Sequence, residues 1–216
     1  MIFDGTYLNR PRGIYTAMDS QTHMIIKAEV NIRESGSELL MFYRQLADSG
    51  IQPKSATIDG NIQQSRYLKI VWPEIILQRC IVHVQRQGLS WLRKKPKRPD
   101  SRELREIFLK LTEVENKQDA QRFIKAVHAW EKRFGGSIAR STNRGKIFSD
   151  LIRARSMLIK ALPDLFHYLD DPNICRTTNA LEGYFSRLKE RYRSHRGLTK
   201  TNRNNYFKWY FYLKPK

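Results

Sequence analysis

The sequence predicts an α/β domain interrupted by an all-helical segment. Three observations predict it. Apolar residues alternate with period two through the first thirty positions, strand and helix patterns then follow in turn to about residue 80, and only helical spacing follows for the next eighty residues. With 216 residues, 40% of them hydrophobic, the chain has enough apolar surface for a buried core and is not a disordered polypeptide.

Ile2–Leu8, Gly13–Asp19 and Met24–Val30 read as three consecutive strands joined by tight turns. Leu39, Leu40, Phe42, Tyr43 and Leu46 recur at helical spacing, and Gly50 supplies a stop. A fourth strand ends at Asp59, a short helix is expected near Ser65–Val71, and a fifth strand runs around Ile75–Gln78. Three antiparallel strands, helix, strand, helix, strand is the order of a ribonuclease H-like core. Lys94-Lys95-Pro96-Lys97-Arg98-Pro99 breaks the pattern. Three helices are expected after it. Their apolar stripes are Leu104 to Val114, Phe123 to Phe134 (with Asp119 as N-cap and Trp130 in the stripe), and Ile147 to Leu162. The expected organisation is therefore 1–95, first part of the core; 96–172, a helical insertion; and 173–216, the last part of the core with a basic tail.

Charge narrows the partners. Forty Lys and Arg against 21 acids give a net charge of +19, well beyond what an enzyme of small neutral molecules needs. Such an excess suits a polyanion, because neutralising phosphates releases condensed counterions. No apolar run approaches a membrane span, and the start is not a signal peptide. Two cysteines, Cys80 and Cys175, do not make a disulfide framework, so a reducing intracellular compartment is the default.

Asp4, Asp59 and Glu182 are the candidate catalytic and metal-binding residues. Asp4 and Asp59 each follow an apolar strand pattern, and Glu182 follows Thr177-Thr178-Asn179-Ala180-Leu181 at a helix start. Carboxylates from separate elements suit a hard divalent ion, and two such ions about 3.5–4 Å apart promote in-line phosphoryl displacement. Each residue also has a structural reading. Asp4-Gly5 and Asp59-Gly60 resemble turn pairs, and Asn179 with Glu182 resembles a capping box. The 123 residues between Asp59 and Glu182 exceed any simple connection within a sheet, and the helical segment accounts for them.

Cys80 and His83 form a Cys-x-x-His pair for which Cys175 offers no zinc-completing partner; beside an active site His83 would position a phosphate, and elsewhere it would pack. Residues 185–216 hold ten Lys or Arg and one acid, Glu190. Ser186, Lys189 and Arg193 follow Glu182 at helical spacing. Arg187, Lys189, Arg193, Arg196, Lys94 and Lys95 are the expected DNA-binding residues. The aromatic run Tyr206–Tyr212 is expected to pack against the core rather than stack on bases.

Asp4-Gly5-Thr6, Ile58-Asp59-Gly60, Cys80-x-x-His83 and Thr178-Asn179-x-x-Glu182, in this order, resemble the DDE transposases of the mutator-like superfamily and their bacterial insertion-sequence relatives. The resemblance implies a ribonuclease H-like core with a helical insertion between the second Asp and the Glu. It implies Asp4, Asp59 and Glu182 as the catalytic triad holding two Mg²⁺ ions (or Mn²⁺), with Cys80, His83 and Asn179 as auxiliary residues. The activity implied is metal-dependent DNA strand cleavage and strand transfer. The partners implied are element ends and target DNA, with a homo-oligomer as the active form, in the cytoplasm or nucleoid if the source is bacterial. Family members usually carry a DNA-binding region ahead of the first catalytic strand, and here only three residues precede Asp4. A non-catalytic DNA-binding remnant and a ribonuclease H-like nuclease that never joins strands are the two alternatives.

Overall fold

A computed structural model describes residues 1–9, 11–34, 36–142 and 145–213. It divides into two compact units, Met1–Gln78 with Pro172–Lys216, and Arg79–Asp171.

The first unit is built on a five-stranded mixed sheet of order β3-β2-β1-β4-β5. The strands are β1 (Ile2–Asn9), β2 (Arg12–Met18), β3 (Ile25–Ile32), β4 (Ser55–Ile58) and β5 (Ile76–Arg79). β1 and β2 are antiparallel, with Asp4 opposite Thr16 and Gly5 opposite Tyr15. β2 and β3 are also antiparallel, whereas β1 and β4 run parallel with Ile2 beside Thr57. β1 is thus central, which explains why Ile2 and Phe3 are both fully buried although they point to opposite faces. Phe3, Tyr15 and Ala17 face α1 (Ser37–Asp48) and α2 (Ile62–Val71) in a cluster completed by Phe42, Tyr43 and Trp72. Its rings meet edge to face, Phe3 and Tyr43 at 5.3 Å and 90°. α2 begins earlier than its apolar residues suggest, because the Asn61 side chain accepts a hydrogen bond from the Gln63 amide and caps it.

The second unit contains α3 (Ile81–Leu92), α4 (Pro99–Lys110), α5 (Lys117–Trp130), α6 (Gly136–Arg140) and α7 (Lys146–Ala161) around one apolar cluster. α3 packs with these helices through Ile81, Val84 and Leu92, so the compact helical unit starts at Arg79. Pro99 at the first turn of α4 and Asn116, whose side chain accepts from the Asp119 amide, set two helix starts. Asn116, not Asp119, is therefore the cap of α5. Trp130 is core, 4% exposed, with its indole N–H donated to the Asp100 carbonyl at 2.9 Å. In α7 the buried face is Phe148, Leu151, Ala154, Leu158 and Ala161, while Ile147, Ile152 and Ile159 lie on the exposed side of the expected stripe.

The chain returns to the first unit with α8 (Asn179–Arg193) and α9 (Lys200–Leu213). Leu181, Phe185 and Leu188 of α8 and Phe207 of α9 cover the Ile2, Ile14 and Met18 face of the sheet. The aromatic run of α9 is only partly core, because Trp209 and Tyr212 are exposed. Among the described residues no helix is long and apolar enough to cross a membrane.

Candidate active site

Strand register positions the two aspartates. Asp4 and Asp59 lie the same number of residues beyond the Ile2–Thr57 pair of parallel neighbours β1 and β4, so the register carries both to one level of the sheet. Alternation along β1 puts Asp4 on the face shared with Ile2, the face covered by α8, and Asp59 is the first residue past β4. Asp4 is 8% exposed and one of its oxygens accepts the Gly5 amide at 2.8 Å. Asp59 follows the end of β4, its Oδ1 accepts the Asn61 amide at 2.9 Å, and Gly60 at φ 97° turns the chain toward α2.

Gly5 is not part of a turn. It lies inside β1 opposite Tyr15, and a Cβ built on it would sit 1.6 Å from Oε1 of Glu34. The Asp4-Gly5 pair is therefore a strand segment whose glycine admits a carboxylate against the backbone. The sequence reading missed Glu34. Its carbonyl accepts a hydrogen bond from the Asn61 side-chain amide at 3.3 Å, which ties the β3–α1 loop to the residue that also holds Asp59. A glycine inside a strand pattern is the one signal that pointed to such an approach.

Beneath this end of the sheet the hydroxyls of Tyr15 and Tyr43 share a hydrogen bond of 2.6 Å. Burial pushes the Tyr15 phenol far above its ordinary value; hydrogen bonding to Tyr43 and the negative field of Glu34 and Asp4 add to it. Burial also raises Tyr43, against the opposing hydrogen bond from Tyr15 and reinforced by Asp59 and Glu34. Both stay neutral and act as hydrogen-bonding groups, and both register the acidic field of the site.

Thr57 Oγ1 donates to the Cys175 carbonyl at 2.6 Å, which fastens β4 to the segment leading into α8. The cap of α8 is Thr178, and Asn179 is already helical and exposed, so Asn179 and Glu182 do not form the capping box their spacing resembles. Glu182 is in the first turn, next to the fully buried Leu181, with Oε1 shielded from solvent. Among the described residues no three His, Cys, Asp or Glu side chains converge closely enough to form a ready-made ion cage. The arrangement is two aspartates at one level of neighbouring strands, with a glutamate on the helix that covers the Asp4 face.

On α8, Arg187 and Arg193 are exposed and Lys189 is half-buried, and Arg196 is exposed beyond its end. Arg187 and Asn179 line a cavity of about 460 Å³ that reaches β3 at Ile25 and Lys27. Lys214 and Lys216 of the basic tail lie outside the described residues. Cys80 is the fully buried residue preceding α3 and His83 lies in the first turn of that helix, both in the helical unit, as are exposed Lys94 and Lys95. Cys175 is a free thiol, raised in pKa mainly by burial.

A mixed α/β sheet in a chain of net charge +19 suits a polyanionic partner. The chain belongs to the Mutator family of transposases, which it matches over residues 12–202. Asp59, the Cys80–His83 pair and Glu182 fall inside the matched span and Asp4 precedes it. No curated protein matches the chain.

Proposed function

We propose that this chain is the strand-cleaving and strand-joining part of a DDE transposase, built on a ribonuclease H-like core in which residues 96–172 form the insertion. The observation that supports this reading is the register of parallel neighbours β1 and β4, in which Asp4 and Asp59 lie equally far beyond the Ile2–Thr57 pair, with Asp4 on the face that α8 covers. The strand order, with three antiparallel strands followed by a parallel fourth, supports the core assignment.

The donors fit magnesium. Magnesium prefers oxygen ligands, keeps several waters and is commonly held by one or two carboxylates together with substrate phosphates, so a full protein cage is not required. Asp4, Asp59 and Glu182 would hold up to two ions, and Mn²⁺ would substitute. When bound, the metal supplies an activated water or hydroxyl nucleophile and neutralises charge on the phosphodiester. The protein's own residues do the rest. Gly5 N–H and Asn61 N–H fix the two aspartate carboxylates. Asn179 belongs to the turn that presents Glu182, and Arg187, Lys189, Arg193 and Arg196 offer cations to the DNA backbone. Lys94 and Lys95 add phosphate contacts, and Cys80 and His83 serve as the auxiliary pair. In the first displacement water replaces the 3′ oxygen on the scissile phosphate, leaving a 5′ phosphate and a free 3′ hydroxyl at an element end; that hydroxyl then attacks a target phosphodiester and displaces the target's 3′ oxygen, in a homo-oligomer inside the cell.

A cleavage and strand-transfer assay on labelled element-end DNA, run with and without Mg²⁺, tests this. Metal-dependent nicking followed by joined product is expected, and Glu182→Gln should remove both while DNA binding persists. Nicking without joining would favour the nuclease reading. The alternative of a non-catalytic DNA-binding remnant gives a different result in the same assay. DNA binding with no cleavage in Mg²⁺ or Mn²⁺ would establish that reading instead.

A further inference from the structure

The helical unit carries a basic cleft that the carboxylate site does not use. It has a volume of about 510 Å³ and lies between the C-terminus of α3, the loop leading to α4 and the first turn of α7. Arg93, Lys95 and Lys97 line it and are exposed, and Arg98 lies on its wall. The acid at this end, Asp100, is matched by Arg98 through a two-point ion pair with a shortest contact of 2.6 Å. The Arg98 guanidinium also lies 5.2 Å from the centre of the Phe148 ring, which sets the fork in place. The net charge of the lining is therefore strongly positive. The lining also has an apolar part, with Trp91 and with Ile147, which is 53% exposed. Arg93 holds a left-handed φ of 60°, an uncommon backbone for a non-glycine residue, at the point where the basic loop leaves α3.

Cations together with aromatic and aliphatic side chains in one cleft match the two halves of a nucleotide. A duplex backbone needs only a charged surface, whereas this cavity lies in the size range of small-ligand pockets and has an apolar wall for which a phosphate has no use. We propose that the cleft holds a nucleotide of an unpaired DNA strand, its phosphates on Arg93, Lys95 and Lys97 and its base or sugar against Trp91 and Ile147. Stacking on such a wall is tolerant of sequence, as suits a strand read for its unpaired state. This rests on the reading of the protein as a DNA-processing enzyme and adds a contact to unpaired strand far in sequence from the carboxylates.

The test is fluorescence anisotropy with a labelled single-stranded oligonucleotide and the blunt duplex of the same sequence, in metal-free buffer across a salt series. The full chain is compared with Lys95→Glu/Lys97→Glu and with Ile147→Asp, all at exposed positions so that folding is retained, as circular dichroism will verify. The double variant should weaken single-strand binding at least tenfold and reduce the slope of log K against log salt by about 1.4. Ile147→Asp should weaken the single strand several-fold more than the duplex. Unchanged single-strand affinity and slope in the double variant would overturn the proposal. So would equal weakening of both DNAs by Ile147→Asp, or equal displacement of the oligonucleotide by polyglutamate. Because no metal is present, these shifts in a protein that fails to cut DNA would leave the cleft standing and remove the catalytic reading. Cleavage without the shifts would do the reverse.

Discussion

Gly5 and Gly88 both occupy positions with no room for a Cβ, yet they belong to different kinds of structure. At Gly5 the obstacle is a carboxylate, the Oε1 of Glu34, at 1.6 Å. At Gly88, within α3, it is the ring of Phe108, with three ring carbons between 2.4 and 2.6 Å. Glu34 is half-buried and ends a flexible side chain, whereas Phe108 is fully buried in the helical core. The difference separates the two units. In the helical unit close approach serves packing, and a methyl group there has nowhere to go. In the sheet unit close approach serves the placement of an acid, and the surrounding structure can give way at little cost to folding.

The largest loss of stability is expected in the helical core. Trp130→Ala should cost about 3–5 kcal/mol, because it empties a buried site and removes the hydrogen bond to the Asp100 carbonyl. Gly88→Ala should follow, at about 1–3 kcal/mol by overpacking against Phe108. Both are read from denaturant unfolding followed by far-ultraviolet circular dichroism, and a Gly88→Ala protein of unchanged stability would show that α3 and α4 do not pack this closely. Tyr43→Phe should cost about 1 kcal/mol, the worth of one hydrogen bond with its Tyr15 partner. Gly5→Ala should cost less than about 1 kcal/mol, because the atom displaced is the end of a side chain, but should lower strand cleavage at least tenfold by displacing Glu34 from the strand that carries Asp4. A Gly5→Ala protein that unfolds would erase the contrast with Gly88.

A pH titration sharpens it further. The Asp100 carboxyl is held below the usual carboxylate range despite the opposing effect of burial, because the Arg98 side chain and the Ser101 amide hydrogen-bond to its charged form. A depressed folded-state value means that this stability is complete above the ordinary aspartate pKa and is lost as pH falls through the folded value. Thermal unfolding should therefore weaken below about pH 4, and Asp100→Asn should flatten that acid limb while lowering the plateau at neutral pH.

Much of the sheet unit was legible because strand alternation and central burial leave a strong pattern. Ile2, Phe3, Ile14 and Tyr15 could be assigned to opposite faces without any tertiary information. The three carboxylates were legible as candidates for the same reason, since strand ends and a helix start are visible in sequence. Their partners were not. Glu34 reaches Gly5 from a loop nearly thirty residues away, and no local spacing encodes that contact. Asn61 caps α2 with its side-chain oxygen, and it also donates its amide to Asp59 and its side-chain nitrogen to the Glu34 carbonyl. In α9 local periodicity did not resolve the faces, because aromatics occur on every side; packing buries Phe207 and leaves Trp209 and Tyr212 outside. The same limit separates the buried half of the α7 stripe from Ile147, whose exposure is what opens the basic cleft.

If Asp4 and Asp59 form one oxygen site for a divalent ion, binding of that ion needs both carboxylates. Electron paramagnetic resonance of Mn²⁺, titrated into the protein with and without a short DNA strand, tests it most directly. Asp4→Asn and Asp59→Asn should each abolish the bound-manganese signal while circular dichroism and DNA affinity hold, and Glu34→Gln should weaken it less. Manganese binding that survives both substitutions would contradict the account.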